Sequence, residues 1–280
     1  MRHWTGGRWR AVRLPGAASL SPIDAAASSA DDIWVGGLKT VRTAGGVAVV
    51  NEILRYNGHD WVSVPVPASN FAFGLAVVSS TNAWGFGGPS RCPARCYTGL
   101  LHWNGHAWQA GRVWLTGVSL GATATGQVWA VGQARLNSAG MPAGPVEAYT
   151  WRGGTWRYVR QIPDRSGLCD CGIDIVARND VWIDNAHWNG RSWRLLRIPK
   201  GTFTEGPVVA DGHGGVWFGP WTHWTGRTWT TYLFASVRGG YSSPYLPYMA
   251  RIPGTTTILA GGSVTKGADM YNIIMRAGKL

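Results

Sequence analysis

Four carboxylates crowd one stretch of the sequence: Asp164, Asp170 and Asp174 enter the fourth of six repeated units, and Asp184 follows close behind. Two carboxylates in one loop can divide the work of general acid and general base, or hold Ca²⁺ through oxygen ligands. No serine, cysteine or threonine nucleophile with a recognisable base accompanies them. Solvated carboxylates that balance nearby arginines are the plainer expectation. Gly117-Val118-Ser119-Leu120-Gly121 matches the nucleophile elbow of serine hydrolases in its letters. That elbow joins a strand to a helix, whereas this glycine-rich segment reads as a strand with no helix after it. No catalytic residue is assigned.

Histidine and cysteine are the other candidates for chemistry. His3, His102, His187 and His223 each stand immediately before a tryptophan at one recurring position, which spreads them over symmetry-related places instead of gathering them as ligands. His59 and His106 fall in hairpin turns and His213 in an inner turn, so neither a metal nor a cofactor is expected. The pairs Cys92/Cys96 and Cys169/Cys171 have spacings ill suited to zinc, and local disulfides within each pair are expected, with free thiols or a cross-link as the alternatives. Paired cysteines fit an oxidising compartment, so an extracellular or cell-envelope location follows as an expectation. Met1–Arg13 is basic and Trp-rich and Ala17–Ser29 lacks a continuous apolar run. It therefore reads as neither signal peptide nor membrane span, and a leader outside this sequence is expected.

Recognition chemistry is better represented. Trp114 and Trp221 lie outside every repeated motif, and Tyr97, Tyr241 and Tyr245 occur in similar connecting segments with Arg42, Arg91, Arg95, Arg135, Arg165 and Arg238. Aromatic faces stack on sugar rings, and guanidinium groups grip carboxylate, sulfate or phosphate through paired hydrogen bonds. The formal charge of +12, with 22 Arg against 4 Lys, suits an anionic partner as well as an arginine-rich solvated surface. Arg10, Arg13, Arg157, Arg160, Arg194 and Arg197 are scattered over outer strands without a basic helix or an aromatic-interleaved groove, so nucleic acid is not the expected partner.

The elements that position these residues are legible as a repeat. An aromatic, any residue, Gly, two residues and Trp recur at Trp4-Gly6-Trp9, Tyr56-Gly58-Trp61, Trp103-Gly105-Trp108, Trp151-Gly153-Trp156, Trp188-Gly190-Trp193 and Trp224-Gly226-Trp229. The first aromatics are 52, 47, 48, 37 and 36 residues apart, the range of a four-stranded propeller blade. Each copy predicts a tight hairpin of third and fourth strands. Upstream, Asp32-Ile33-Trp34, Asn82-Ala83-Trp84, Gln127-Val128-Trp129, Asp180-Val181-Trp182 and Gly215-Val216-Trp217 mark second strands, with Leu259 in place of Trp in the sixth unit. Ile23–Ser28, Ala72–Ser79, Gly172–Ala177 and Pro207–Ala210 read as first strands. Sixteen of the 18 tryptophans fall in these two elements and are expected in the core.

The fold class predicted is all-β: a six-bladed β-propeller of four-stranded blades forming one domain over residues 1–280. Arg8–Leu14 is expected to close it as the outer strand beside Tyr271–Ala277, removing exposed edges. Gly36-Gly37, Gly87-Gly88 and Gly261-Gly262 followed by the aromatic hairpin resemble kelch repeats, although the third and fifth units keep one glycine and the fourth has Asp184-Asn185. The resemblance implies the fold and leaves the activity open, since kelch propellers include binding proteins and enzymes such as galactose oxidase. The expectation is a monomeric, non-catalytic recognition module with no membrane span. It would present Trp114, Trp221, Tyr97, Tyr241, Tyr245 and the loop arginines to an anionic carbohydrate or a protein. The alternative is a glycan-active hydrolase, lyase or epimerase.

Overall fold

A computed structural model describes residues 2–4, 8–16, 18–67, 74–86, 97–123, 125–163, 172–200, 206–219, 222–232, 240–242, 244–252 and 255–277. Among them every regular element is a strand, and none is a helix long and apolar enough to cross a membrane. The chain is all-β and consists of six blades of the β-propeller type. It divides into two compact units, Met1–Ala130 and Val131–Leu280.

The first unit opens with a hairpin, β1 (Arg2–Trp4) and β2 (Trp9–Ala11). The first blade follows as β3 (Leu20–Ser29), β4 (Asp32–Thr43), β5 (Gly46–Tyr56) and β6 (Trp61–Val64), and the second as β7 (Gly74–Ser79), β8 (Asn82–Phe86), β9 (Thr98–Trp103) and β10 (Trp108–Val113). The third blade is β11 (Thr116–Ala122), β12 (Val128–Leu136), β13 (Pro142–Arg152) and β14 (Thr155–Ile162), and the division between the units falls inside β12. In the second unit come the fourth blade, β15 (Ile173–Ala177) to β18 (Trp193–Leu195) through β16 (Asp180–Ile183) and β17 (Ala186–Trp188), and the fifth, β19 (Val208–Ala210), β20 (Val216–Phe218), β21 (Thr222–Trp224) and β22 (Trp229–Thr231). The sixth is β23 (Tyr245–Arg251), β24 (Ile258–Lys266) and β25 (Asp269–Ala277). The Gly117–Gly121 segment lies within β11, a first strand, as expected.

The predicted hairpins form in register: Tyr56 faces Trp61, Trp103 faces Trp108, Trp188 faces Trp193 and Trp224 faces Trp229. Their turns work because Gly58, Gly105, Gly190 and Gly226 take φ between 87° and 96°, the left-handed region that costs glycine little. Asn57 adds a local clamp, its Oδ1 accepting from the amides of His59 and Asp60 at 3.0 and 2.9 Å. The second-strand tryptophans form the core. Trp34 is 0 % exposed and Trp217 1 %, whereas the hairpin tryptophans Trp61, Trp156, Trp193 and Trp229 are only half-buried. Treating all repeated tryptophans as equally buried therefore overstates these four, whereas the hairpin tryptophans Trp103, Trp108 and Trp188 are buried with the core.

The recurring histidines have a structural explanation that spacing alone does not reveal. His102, His187 and His223 lie flat on the second-strand tryptophans Trp84, Trp182 and Trp217, with ring centroids 4.0–4.2 Å apart. A polar residue opening the second strand, or in the fifth blade one directly after the first strand, holds each imidazole: Nε2 lies 3.0 Å from Asn82 Oδ1, 2.8 Å from Asp180 Oδ1 and 2.9 Å from Asp211 Oδ2. In the first blade Arg55 fills the slot, its guanidinium 5.0 Å from the Trp34 ring and its Nε donating to Asp32 Oδ1 at 2.9 Å. Trp34 Nε1 donates to the same oxygen at 3.0 Å, so one carboxylate satisfies the buried indole and the cation above it.

The paired glycines are explained by the same packing. A Cβ on Gly37 would meet the carbonyl oxygen of Ser21, and one on Gly262 would meet that of Tyr245, while Gly261 has open space. In both blades the first strand slips register beside the glycine, between Pro22 and Asp24 and between Tyr245 and Tyr248, and this bulge carries its backbone onto the second strand.

The expected closing pair is not among the described strand pairs. Trp9–Ala11 pairs with Arg2–Trp4 and β25 pairs with β24, and among the described strand pairs the sixth blade has three strands where the other five have four. The N-terminal motif forms its own hairpin because third and fourth strands adjacent in sequence close locally at little entropic cost.

The expected disulfides, Cys92 with Cys96 and Cys169 with Cys171, fall on residues that lie outside the described ones.

Candidate functional site

The first unit carries the best-defined arrangement of recognition residues. β9 and β10 pair up to Thr98 opposite Val113, so Tyr97 and Trp114 leave the ladder side by side. Strand alternation turns Val113 into the core and leaves Arg112 and Trp114 on the other face. The base is rigid: Thr98 Oγ1 donates to the Leu115 carbonyl at 2.9 Å, and Val113, Leu115 and Thr116 are all fully buried. Tyr97 and Trp114 meet edge to face with centroids 5.8 Å apart.

Arg112 completes the group. Its guanidinium carbon stands 4.8 Å from the Trp114 ring and 5.5 Å from the Tyr97 ring. It is exposed and makes no hydrogen bond or ion pair among the described residues. The two rings thus orient a charged donor fork toward solvent, which spares an incoming anion much of the entropy of ordering it. Sequence reasoning selected Tyr97 and Trp114 and missed Arg112. The signal was the spacing Arg112-Val113-Trp114, which puts arginine and tryptophan on one face of a strand.

The second unit holds a smaller relative of this platform. Tyr241 and Tyr271 meet edge to face at 5.4 Å, and Lys266 Nζ lies 5.3 Å from the Tyr241 ring. Ser242 fixes the loop by donating its amide to the Thr265 carbonyl at 2.8 Å and accepting the Thr265 amide on its hydroxyl at 2.9 Å. Tyr245 stands apart in β23, 71 % exposed. Arg135 is a strand residue whose side chain lies on Gly144, and Arg42 belongs to the extended β4–β5 hairpin. Arg91, Arg95, Arg165, Arg238 and Trp221 lie outside the described residues, as do Cys92, Cys96, Cys169, Cys171, Asp164 and Asp170.

The described members of the acidic stretch serve the backbone. Asp184 has φ of 45°, the one non-glycine positive φ among the described residues, and its Oδ1 accepts the Gly172 amide at 2.9 Å. Asp174 Oδ2 accepts the Ala210 amide at 2.7 Å, joining the first strands of the fourth and fifth blades. Asp24 does the same in the first unit, accepting the Leu75 amide at 2.7 Å. Burial pushes both carboxyls above the ordinary range, and these amides only partly offset it. Asp211 goes the other way: burial would raise it, but the His213 and Gly215 amides, with His223, hold it below the usual range. Burial also lowers His102. Among the described residues no three His, Cys, Asp or Glu gather as a metal site would require.

No protein-family model and no curated protein sequence matches the chain. Among solved structures it is similar to the β-propeller domain of the Trilobed protease from Pyrococcus furiosus, which has an open velcro topology. That similarity has a TM-score of 0.45 and 8 % identity, and covers 92 % of this chain and 83 % of that one.

Proposed function

We propose that this protein is a recognition module that binds an anionic carbohydrate at the Tyr97–Trp114–Arg112 platform. The observation that carries the reading is the exposed Arg112 guanidinium, stacked by two aromatic rings and engaged with no acceptor among the described residues. A sugar ring would lie against an aromatic of the platform while its carboxylate or sulfate takes the guanidinium fork. The net charge of +12 would draw such a polymer in. A glycan-active enzyme would need an acid and a base converging on open space; Asp184 is committed to the Gly172 amide, and the described residues bring no second carboxylate to the cavity that Asp174 lines. We read the repeat as kelch-like on the strength of Gly37 and Gly262, and the cysteine pairs as local disulfides of an exported protein, a reading that rests on their spacing alone.

Titration with heparin, polygalacturonate and neutral dextran tests the function. An anionic polymer should bind and dextran should not. Arg112→Met should weaken binding about tenfold, with the difference shrinking as salt is raised, and Trp114→Ala should weaken it at every salt concentration. If dextran binds as well as the anionic polymers, or Arg112→Met binds like the parent, the reading fails. Binding of an acidic protein in place of either polymer would replace carbohydrate with a protein partner.

A further inference from the structure

A departure from the repeat marks a second site, independent of the platform. In five blades the first-strand residue facing the position just before the second-strand Trp or Leu can be compared directly. It is Ala27 opposite Ile33, Val77 opposite Ala83, Ile175 opposite Val181, Ala210 opposite Val216 and Arg251 opposite Ile258. Four are small or aliphatic; the sixth blade has arginine. Packing does not ask for a guanidinium there, and Gly212, with φ of 78°, leaves it room: a Cβ on Gly212 would run into the Arg251 guanidinium.

That guanidinium borders a cavity of about 300 Å³ built on the first strands of the fourth, fifth and sixth blades. Asp174 lies on the same wall, with Ile173, Val208, Val209 and Met249 as apolar lining. Arg251 is half-buried yet makes no hydrogen bond or ion pair among the described residues, so it does not close on Asp174. Asp174 feels the charge of Arg251 but remains under-compensated, since burial still raises its carboxyl above the usual range. A carboxyl and a half-buried guanidinium therefore line one small cavity without a hydrogen bond between them, and a ligand that bonds to both would recover free energy lost in their desolvation.

We propose that this cavity binds a small zwitterion of the amino-acid type, its carboxylate on Arg251 and its ammonium on Asp174. A carboxylate grips arginine through paired hydrogen bonds. Asp174 keeps acceptor capacity after taking the Ala210 amide, because an ionised carboxylate offers about four lone-pair sites. The volume is at the small end for ligand sites, and the lining residues favour an aliphatic side chain.

The test is calorimetric titration of the intact protein with each of the twenty common L-amino acids. The tightest binder is then compared with its deaminated acid and its decarboxylated amine; for valine these are isovalerate and isobutylamine. At least one amino acid should bind, and both truncated probes should be about tenfold weaker or worse. Arg251→Met and Asp174→Asn should each remove binding, with Arg251→Met decisive if Asp174→Asn does not fold. Arg112→Met should leave amino-acid binding unchanged, which separates failure here from failure of the polymer-binding reading. No binding by any amino acid, a truncated acid or amine that binds as well as its parent, or full binding by Arg251→Met would overturn the proposal.

Discussion

Replacing Asp211 with alanine removes three interactions at once. The carboxylate is 3 % exposed; Oδ1 accepts the His213 amide at 2.7 Å and the Gly215 amide at 2.9 Å, and Oδ2 lies 2.9 Å from His223 Nε2. The Gly215 bond is buried, so its orphaned donor costs about 1–3 kcal/mol, while water can reach the partly buried His213 amide, where the loss is about 1 kcal/mol. The imidazole stacked on Trp217 also loses its anchor, for about 1 kcal/mol more, which gives a total of about 3–5 kcal/mol. Urea unfolding followed by tryptophan fluorescence measures it as a fall in midpoint at unchanged slope. The pH dependence supplies an independent check. Because the folded-state carboxyl is held below its ordinary value of 3.8, its contribution is fully present above that value and is lost as pH falls through the lowered one. The gap between parent and Asp211→Ala should therefore be constant near neutrality and narrow in acid. A loss below about 1 kcal/mol, or a gap that widens in acid, would refute the reasoning.

Three further outcomes follow. Trp34→Ala should cost about 3–5 kcal/mol in urea unfolding, whereas Trp114→Ala, at a half-buried site, should cost well under half of that. Gly262→Ala should destabilise by about 1–3 kcal/mol because its Cβ meets the Tyr245 carbonyl, and Gly261→Ala, with open space around it, should be near neutral in the same assay. Carboxyl NMR titration should find Asp24 and Asp174 protonating above the ordinary aspartate range and Asp211 below it; the opposite order would contradict the burial and hydrogen bonding described.

The blades were legible because the spacing of Trp, Gly and aromatic residues records short-range geometry. Asn57-Gly58 is a turn by its own chemistry, and Tyr56 must face Trp61 once that turn is tight. What spacing cannot record is what lies above a ring. His187 on Trp182 and Arg55 on Trp34 occupy one slot, and only the carboxylate beneath, Asp180 or Asp32, shows why imidazole and guanidinium are interchangeable there. The platform was half visible: Trp114 and Tyr97 stood out as exceptions to the repeat, while Arg112 looked like any outer-strand arginine. Arg251 became visible only when register identified it with Ala27, Val77, Ile175 and Ala210. The terminal pairing was the least legible feature, because two segments, Arg2–Trp4 and Tyr271–Ala277, both read as third strands, and sequence does not choose between local and distant partners for Trp9–Ala11.

The aspartate bridges between first strands also bear on amide exchange. Neighbouring blades present their strands to one another without a shared ladder, so the Leu75 and Ala210 amides are protected by carboxylates belonging to the adjacent blade, Asp24 and Asp174. Exchange of these two hydrogens therefore clocks the parting of one blade from the next and not the fraying of a sheet. Protonation of a single side chain would loosen that clock without disturbing a backbone hydrogen bond in either blade.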